Sequence, residues 1–259
     1  MHILVTNDDG IFAPGLMALA QAMRPLGKVT VLAPDRNWTA CGHVKTLDKP
    51  LRVRETSLAD GTPALTSDGA PSDCVALALL GVLSEPVDLV VTGINAGENV
   101  GHDVTYSGTV TAAMEAAIWG LPAVSVSLQI LDGSSHKPDY TAAASAAQNL
   151  VRMVIHEKLP KGLLLNVNVP CLAQDQIRGV QVTRQGLRIY HDALIERMDP
   201  RDRPYYWIGG EAPSGLAESG TDYGALLEGY ISVTPIQLDL TAHSFMEDLR
   251  VWVNDRDVK

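Results

Sequence analysis

Short runs of consecutive apolar residues recur through the first two thirds of the chain, and most are followed by a segment with helical spacing. The first run, residues 3–5, is typical of a strand that is buried on both faces of a parallel sheet. Residues 15–26 carry apolar side chains at helical spacing behind Pro14, which suits the first turn of a helix. The same patterns predict strands at residues 29–33, 51–54, 65–67, 87–92, 123–128 and 163–169, and helices at residues 74–83, 109–119 and 140–156.

This alternation of strands and helices predicts an α/β fold, with a three-layer, doubly wound, mostly parallel sheet of the Rossmann-like kind. Beyond Gln181 the alternation stops. Polar segments that contain proline and tyrosine follow, at residues 201–207 and 229–235, and we interpret both as hairpin or arm material. We therefore predict a Rossmann-like α/β domain in residues 1–181 and a C-terminal arm or hairpin, continuous with that domain, in residues 182–259.

Composition and charge narrow the range of partners. The 259 residues are 46% hydrophobic, enough for a large core, and the formal net charge of −10 argues against sequence-independent binding of DNA or RNA. The three cysteines, Cys41, Cys74 and Cys171, are widely spaced and odd in number, which fits a reducing compartment. No signal peptide is apparent, and the longest apolar stretch, residues 75–83, is too short to span a membrane. We expect a cytoplasmic protein that binds neither membranes nor nucleic acid polymers.

The candidate chemistry begins directly after the first predicted strand, where Asp8 and Asp9 are adjacent and Gly10 follows. The carboxyl ends of strands in an open α/β sheet face the ligand crevice. Two like charges so close together are costly unless a cation neutralises them, and a hard divalent ion such as Mg2+ or Mn2+ is the simplest solution. Alternatively, Asp8 or Asp9 caps the next helix.

A second candidate segment is the glycine-rich stretch at residues 93–108 and the helix after it. Ser107, Gly108 and Thr109 offer hydroxyl and backbone donors at a helix N-terminus, where phosphate groups bind readily. The alternative is an ordinary turn with Thr109 as the helix cap. The stretch matches neither the Walker motif nor the dinucleotide spacing. Asn95 has an amide oxygen that can complete an oxygen-only metal site with Asp8, Asp9 and Thr39.

Five blocks of sequence together resemble the survival protein E (SurE) family of metal-dependent 5'-nucleotidases. They occur in the family order across nearly the whole chain, at residues 5–10 (VTNDDG), 33–36 (APDR), 93–99 (GINAGEN), 103–110 (DVTYSGTV) and 229–235 (GYISVTP). The family usually carries serine where this chain has Thr39, and either hydroxyl can ligate a metal.

The resemblance implies a phosphomonoesterase that hydrolyses nucleoside 5'-monophosphates, with 3'-nucleotides and short polyphosphates as further candidate substrates. It implies one divalent metal ion per subunit, Mg2+ or Mn2+, bound by Asp8, Asp9, Thr39 and Asn95. It also implies a domain-swapped homodimer or homotetramer that is built by the C-terminal arm. The aromatic residues at 205–207 are then candidate interface anchors, with core packing within one subunit as the alternative.

A mechanism follows as a hypothesis. The cation would bind a phosphate oxygen and lower the pKa of a bound water, which would give a nucleophile at neutral pH. Asp8 or Asp9 orients or deprotonates that water, and Asn95 together with the donors at residues 107–109 stabilises the transition state. Lys45 is either an additional cation near the phosphate or a solvated lysine. His102, beside Asp103, is either a proton shuttle to the leaving alcohol or an ordinary loop histidine.

Two other functions compete with this one. A covalent phosphatase of the haloacid dehalogenase kind also places aspartates after its first strand, but it needs an Asp-x-Asp spacing, whereas Asp8 and Asp9 are adjacent. A nucleotide-sensing or assembly protein would bind the nucleotide without turnover. Release of inorganic phosphate in the presence of Mn2+ separates catalysis from binding.

Overall fold

The computed structural model describes residues 1–130 and 137–255 and contains a central nine-stranded sheet with helices on both faces. Its strands are β1 (His2–Thr6), β2 (Lys28–Pro34), β3 (Val53–Ser57), β4 (Pro63–Ser67), β5 (Leu89–Ala96), β6 (Ala123–Leu128), β7 (Leu163–Val169), β8 (Val180–Val182) and β11 (Ile231–Gln237). Across the sheet they lie in the order β3-β4-β2-β1-β5-β6-β7-β11-β8. Strands β4, β2, β1, β5, β6 and β7 are mutually parallel, which confirms the predicted doubly wound sheet.

The two faces of the sheet form separate hydrophobic cores. The described helices are α1 (Pro14–Met23), α2 (Pro71–Leu77), α3 (Gly108–Ile118), α4 (Thr141–Glu157), α5 (Asp222–Leu227) and α6 (Met246–Asp255). Ile3 and Val5 of β1 pack with α1 and α4 on one face. Leu4 packs with α2 and α3 on the other. Because successive side chains of a strand point to opposite faces, the apolar run in β1 builds both cores at once.

The predicted helix at residues 74–83 differs in extent. Helix α2 begins at Pro71 and ends at Leu77, and a wider helical turn follows as far as Val82. Gly81 in that turn has a φ of +116°, a conformation that glycine adopts without strain and that interrupts a regular helix.

The interpretation of residues 229–235 as arm material was wrong. Strand β11 lies inside the main sheet, antiparallel to β7 and parallel to the short strand β8. Its polar residues have partners there, because the Thr183 hydroxyl is 2.7 Å from Ser232 Oγ and 2.8 Å from Thr234 Oγ1. Satisfied hydroxyl groups let a polar-looking segment occupy a buried strand.

The remaining C-terminal elements are a two-stranded hairpin, β9 (Arg188–Met198) with β10 (Pro204–Gly215), and helix α6. Residues 201–207 therefore do contribute to a hairpin, as expected. The predicted domain boundary at residue 181 falls within β8, and it stays a prediction. Within the part of the chain that the structure describes, no helix combines the length and apolarity that crossing a membrane requires.

Candidate active site at the carboxyl edge of the sheet

Asp8 and Asp9 lie in a tight turn directly after β1. Asn7 braces this turn, since its Nδ2 donates to the Gly10 carbonyl at 3.1 Å and its Oδ1 accepts from the Gly10 N–H at 3.2 Å. Gly10 has a φ of +100°, and a Cβ there would lie 3.2 Å from the Arg36 carbonyl carbon. The turn therefore depends on glycine, and it holds both carboxyl groups at the end of the first strand.

The alternative in which either aspartate caps the next helix is wrong. Helix α1 begins at Pro14 behind Ala13, and no side chain caps it. Asp8 instead makes contacts within the carboxyl edge. Its carboxylate accepts a hydrogen bond from the Thr109 hydroxyl of α3, and its backbone carbonyl accepts the Trp38 N–H at 2.7 Å.

The Asp8 carboxyl is buried, and this burial raises its pKa to about 6. The hydrogen bond from Thr109 opposes the shift, while the charge of Asp9 adds to it. Burial also raises the pKa of Asp9, against a hydrogen bond from the Ala96 backbone. The fold thus keeps two adjacent carboxyl groups where their charged forms are poorly solvated.

The loop after β2 brings Thr39 to the same edge. Asn37 links Thr39 to the aspartate turn. Its Nδ2 lies 3.5 Å from Asp9 Oδ1, and its Oδ1 accepts both the Thr39 N–H and the Thr39 hydroxyl at 2.6 Å. Asp9, Asn37 and Thr39 therefore form a short chain of polar contacts at the surface.

Asn95 lies near the end of β5, which pairs in parallel with β1, so it reaches the same edge of the sheet as Asp8 and Asp9. Its Nδ2 donates to the Gly97 carbonyl at 2.7 Å, which orients the amide and leaves its oxygen as the group able to bind a ligand. The backbone of the neighbouring Ala96 lowers the pKa of Asp9, which places this end of β5 close to that carboxyl group. Gly93 makes this geometry possible, since it has a φ of +120° and a Cβ there would lie 2.2 Å from the Val126 carbonyl oxygen. The peptide bond that follows Gly93 is cis.

The alternative in which Thr109 caps helix α3 was wrong. Ser107 is the cap, since its Oγ accepts the Val110 N–H at 3.1 Å. Thr109 uses its hydroxyl hydrogen on Asp8, so its side chain supports a candidate metal ligand. Gly108 lies against the same carboxyl group, because a Cβ there would be 2.7 Å from Asp8 Cβ and 3.0 Å from Cys41 Sγ.

A buried polar network that the sequence patterns did not predict holds the glycine-rich segment. The Asn99 N–H donates to Asn168 Oδ1 at 2.8 Å, and the Asn99 side chain donates to Ser127 Oγ at 2.8 Å. The Asn99 carbonyl accepts from the side chains of Asn166 at 2.8 Å and Asn168 at 3.0 Å. Two asparagines in the otherwise apolar run at residues 163–169 were the available signal.

A second residue that the patterns did not predict is Glu115 of α3, which anchors the segment that follows Thr39. Its buried carboxylate lies 2.9 Å from His43 Nε2 and accepts from Lys45 Nζ at 3.3 Å and from Trp119 Nε1 at 3.0 Å. These contacts, with the one to His43 as the largest, lower the pKa of Glu115 to about 2. Lys45 is bound to this carboxylate with about half of its side chain exposed, which is compatible with a solvated lysine, and its role as an additional cation near the phosphate stays untested.

His102 has no side-chain hydrogen bond to any described residue. The Asp103 carboxylate beside it accepts instead from Arg188 Nε at 2.7 Å and from the Tyr190 hydroxyl at 2.6 Å. The proton-shuttle role stays untested.

The arrangement offers oxygen ligands to a cation. Among residues 1–130 and 137–255, no group of three or more His, Cys, Asp or Glu side chains is placed to hold a metal ion. Asp8 and Asp9 supply two carboxylates, while Thr39 and Asn95 supply a hydroxyl and an amide oxygen. Such oxygen donors suit a hard ion such as Mg2+ or Mn2+ better than a soft one.

Comparisons with known proteins agree with this picture. A family model described as "Survival protein SurE" matches residues 3–192. The chain is 51% identical to a 5'-nucleotidase SurE of Chloroflexus aggregans over 253 residues, which cover 97% of this chain and 99% of that protein. It is 50% identical to a 5'-nucleotidase SurE of Herpetosiphon aurantiacus over 256 residues, which cover 98% and 100%. The crystal structure of a SurE protein from Aquifex aeolicus superposes with a TM-score of 0.80 at 39% identity, covering 97% of this chain and 99% of that one.

Proposed function

Because this chain belongs to the survival protein SurE family, we propose that it is a 5'-nucleotidase, a phosphomonoesterase that releases inorganic phosphate from nucleoside 5'-monophosphates. The observation that carries the proposal is the likeness, at about 50% identity and over almost the full length of both chains, to proteins named for that activity. The paired carboxyl groups at the end of β1 support it, since they lie where α/β sheets bind ligands.

We further propose that Asp8, Asp9, Thr39 and Asn95 hold one Mg2+ or Mn2+ ion per subunit. The donor set fits, because burial raises the pKa of both carboxyl groups and a divalent cation would compensate their charge. When bound, such a cation supplies positive charge to the phosphate and makes water a better nucleophile at neutral pH.

The residues of the chain then divide the remaining work. Thr109 holds Asp8 in place through its hydroxyl, and Asn37 holds Thr39 beside Asp9. The Ser107 hydroxyl keeps its hydrogen available while its oxygen caps α3, so it can donate to a phosphate oxygen. The N-terminus of α3, at Gly108, adds a positive end of the helix dipole on the same side.

The homodimer or homotetramer expected from the resemblance remains part of the proposal. It is supported by large apolar side chains exposed on the hairpin and on α6, namely Leu194, Tyr206, Trp207, Ile208, Leu249 and Trp252. An apolar surface of this kind costs free energy in water and favours association. The cytoplasmic location, expected from composition, stays a prediction.

The test of the proposed function is release of phosphate by the purified protein. We expect hydrolysis of 5'-AMP and 5'-GMP with added Mn2+ or Mg2+, and loss of activity in EDTA that is restored by adding the metal back. 3'-AMP and tripolyphosphate in the same panel measure the substrate range. Binding of 5'-AMP without phosphate release under every metal tested would contradict the proposal and favour a nucleotide-sensing protein. Trapping of an aspartyl-phosphate would favour the covalent mechanism.

A further inference from the structure

Arg188 is the first residue of the hairpin strand β9, and its surroundings differ from those of the rest of that strand. The other residues of β9 are exposed, whereas the Arg188 side chain is only 8% exposed. Its Nε donates to Asp103 Oδ2 at 2.7 Å, and its terminal nitrogen lies 3.4 Å from Glu98 Oε1. The guanidinium also lies over the Tyr223 ring, 5.4 Å from its centroid.

The two acidic partners of Arg188 are five residues apart in the glycine-rich segment, with Glu98 nearer to Asn95 in the sequence and Asp103 nearer to Ser107. Glu98 follows Gly97, whose carbonyl accepts the Asn95 side chain at 2.7 Å. Asp103 accepts the Ser107 N–H on its carbonyl at 3.0 Å. One guanidinium therefore connects the Asn95 side of the glycine-rich segment to the Ser107 side.

Further contacts fix the same segment to the base of the hairpin. The buried carboxylate of Asp222 accepts the Gly101 N–H and the Gly186 N–H, each at 2.8 Å. The Tyr190 hydroxyl donates to Asp103 at 2.6 Å. The glycine-rich segment and the base of the hairpin are in close contact at Gly101, because a Cβ there would lie 2.7 Å from the Gly186 carbonyl oxygen.

A nearly buried arginine between two carboxylates is a poor source of net stability, since desolvation of the charges offsets their attraction. The arginine matters more for the shape of the segment, because it holds Glu98 and Asp103 close to one guanidinium group. Without the guanidinium, Glu98 and Asp103 carry like charges that nothing else in these contacts neutralises, and the segment between them is expected to change shape.

We propose that Arg188 is a positioning residue for phosphate binding and hydrolysis, acting through Glu98 and Asp103 to hold Asn95 and Ser107 at the spacing that the phosphate requires. This proposal rests on the proposed function. Arg188 touches neither substrate nor metal in it. A displacement of about 1 Å at a site of this kind can lower the rate about 100-fold.

The experiment compares Arg188→Met with Arg184→Met. Arg184 is a matched control, since it lies four residues earlier and pairs with Glu218 on the exposed surface. For each variant we would measure the melting temperature, kcat and KM for 5'-AMP, the inhibition constant of inorganic phosphate, and Mn2+ affinity by calorimetry.

For Arg188→Met we expect a 10- to 100-fold loss of kcat/KM and a loss of at least 10-fold in phosphate affinity. Mn2+ affinity should fall by a smaller factor than phosphate affinity. Three of the four proposed ligands, Asp8, Asp9 and Thr39, are held by contacts that do not involve Arg188, and only Asn95 depends on the segment that Arg188 holds. Arg188→Lys should recover part of the activity, since it restores the charge without the planar geometry of the guanidinium. Arg184→Met should match the wild type.

Phosphate affinity and kcat within twofold of the control would overturn the proposal. A parallel fall of Mn2+ and phosphate affinity that tracks a lower melting temperature would also overturn it, because that result indicates a general structural role.

If Arg188→Met fails to fold, Tyr190→Phe serves as the test, since it removes only one hydrogen bond to Asp103. We expect about a threefold loss of phosphate affinity in that variant. An unchanged phosphate affinity would refute the positioning role. A wild type that binds phosphate but releases none from 5'-AMP would refute the proposed function, while the phosphate measurements still test Arg188.

Discussion

Replacing Asp8 with asparagine should stabilise the metal-free protein and abolish its activity. Burial raises the pKa of this carboxyl from 3.8 to about 6. At about 1.4 kcal/mol per pH unit, ionising Asp8 in the folded chain costs about 3 kcal/mol relative to the unfolded chain. Asparagine carries no charge, and its amide oxygen can still accept the Thr109 hydroxyl, so Asp8→Asn avoids most of this cost.

The sign of the pH dependence follows from the direction of the shift. A carboxyl group whose pKa is higher in the folded state binds its proton more tightly there than in the unfolded state. The free energy of unfolding of the wild type therefore falls as the pH rises from about 4 to about 6, and the loss is complete above that range. The advantage of Asp8→Asn should accordingly be largest at pH 8 and should shrink by pH 4.5.

The assay is thermal unfolding in EDTA and in Mn2+. At pH 8 in EDTA we expect Asp8→Asn to melt about 5 to 10 °C above the wild type, since 1 kcal/mol corresponds to about 2 to 4 °C in a chain of this size. Mn2+ at 100 times its dissociation constant should stabilise the wild type by about 2.7 kcal/mol and leave the variant unchanged. Phosphate release by the variant should fall at least about 100-fold.

Asp60→Asn is the matched control for these melts. Asp60 lies at the surface, where hydrogen bonds from Thr62, Arg24 and Gln21 lower its pKa. Asparagine at this position should not raise the melting temperature, and the effect of Mn2+ should persist. The reasoning about Asp8 fails if Asp8→Asn melts at or below the wild type in EDTA at pH 8, or if Mn2+ stabilises both proteins equally.

Two further substitutions test the site and the assembly. Gly108→Ala places a Cβ 2.7 Å from Asp8 Cβ, so we expect Mn2+ affinity by calorimetry to fall at least about 10-fold. The melting temperature should also fall by several degrees, because overpacking of a buried contact costs about 1 to 3 kcal/mol. Unchanged affinity would show that the carboxyl group moves freely. Trp207→Ser removes an aromatic side chain that is 62% exposed on the hairpin. Sedimentation should then show a smaller particle than for the wild type or for Leu47→Ser, an exposed position outside the hairpin, and equal masses would argue against an interface there.

The fold and the acidic pair were predictable from sequence because their causes are local. An apolar run such as residues 3–5 indicates a doubly buried strand, and the direction of the strand then places Asp8 and Asp9 at the ligand edge. The phosphate-binding roles of Asn95, Ser107, Gly108 and Thr109 and the metal set remain proposals, although the structure places all of these residues at the same edge.

The contacts that shape the site were not predictable, because their partners are distant in sequence. Asn99 bonds to Asn168, which is 69 residues away, and Glu115 bonds to His43, which is 72 residues away. A single asparagine or glutamate in a sequence carries no information about such partners. Strand β11 was misassigned for the same reason, since its hydroxyl groups depend on Thr183.

A protein with a net charge of −10 needs a local positive charge to bind an anionic ester. Three basic residues in or beside the motifs are already paired: Lys45 with Glu115, Arg188 with Asp103, and Arg36 with Asp35 at 3.6 Å. Their positive charges are therefore largely compensated before a substrate arrives. The dipole of α3 supplies only about half an elementary charge. A divalent cation held by the proposed ligands would supply the missing charge, so affinity for inorganic phosphate should depend on that cation more than on Lys45, Arg188 or Arg36.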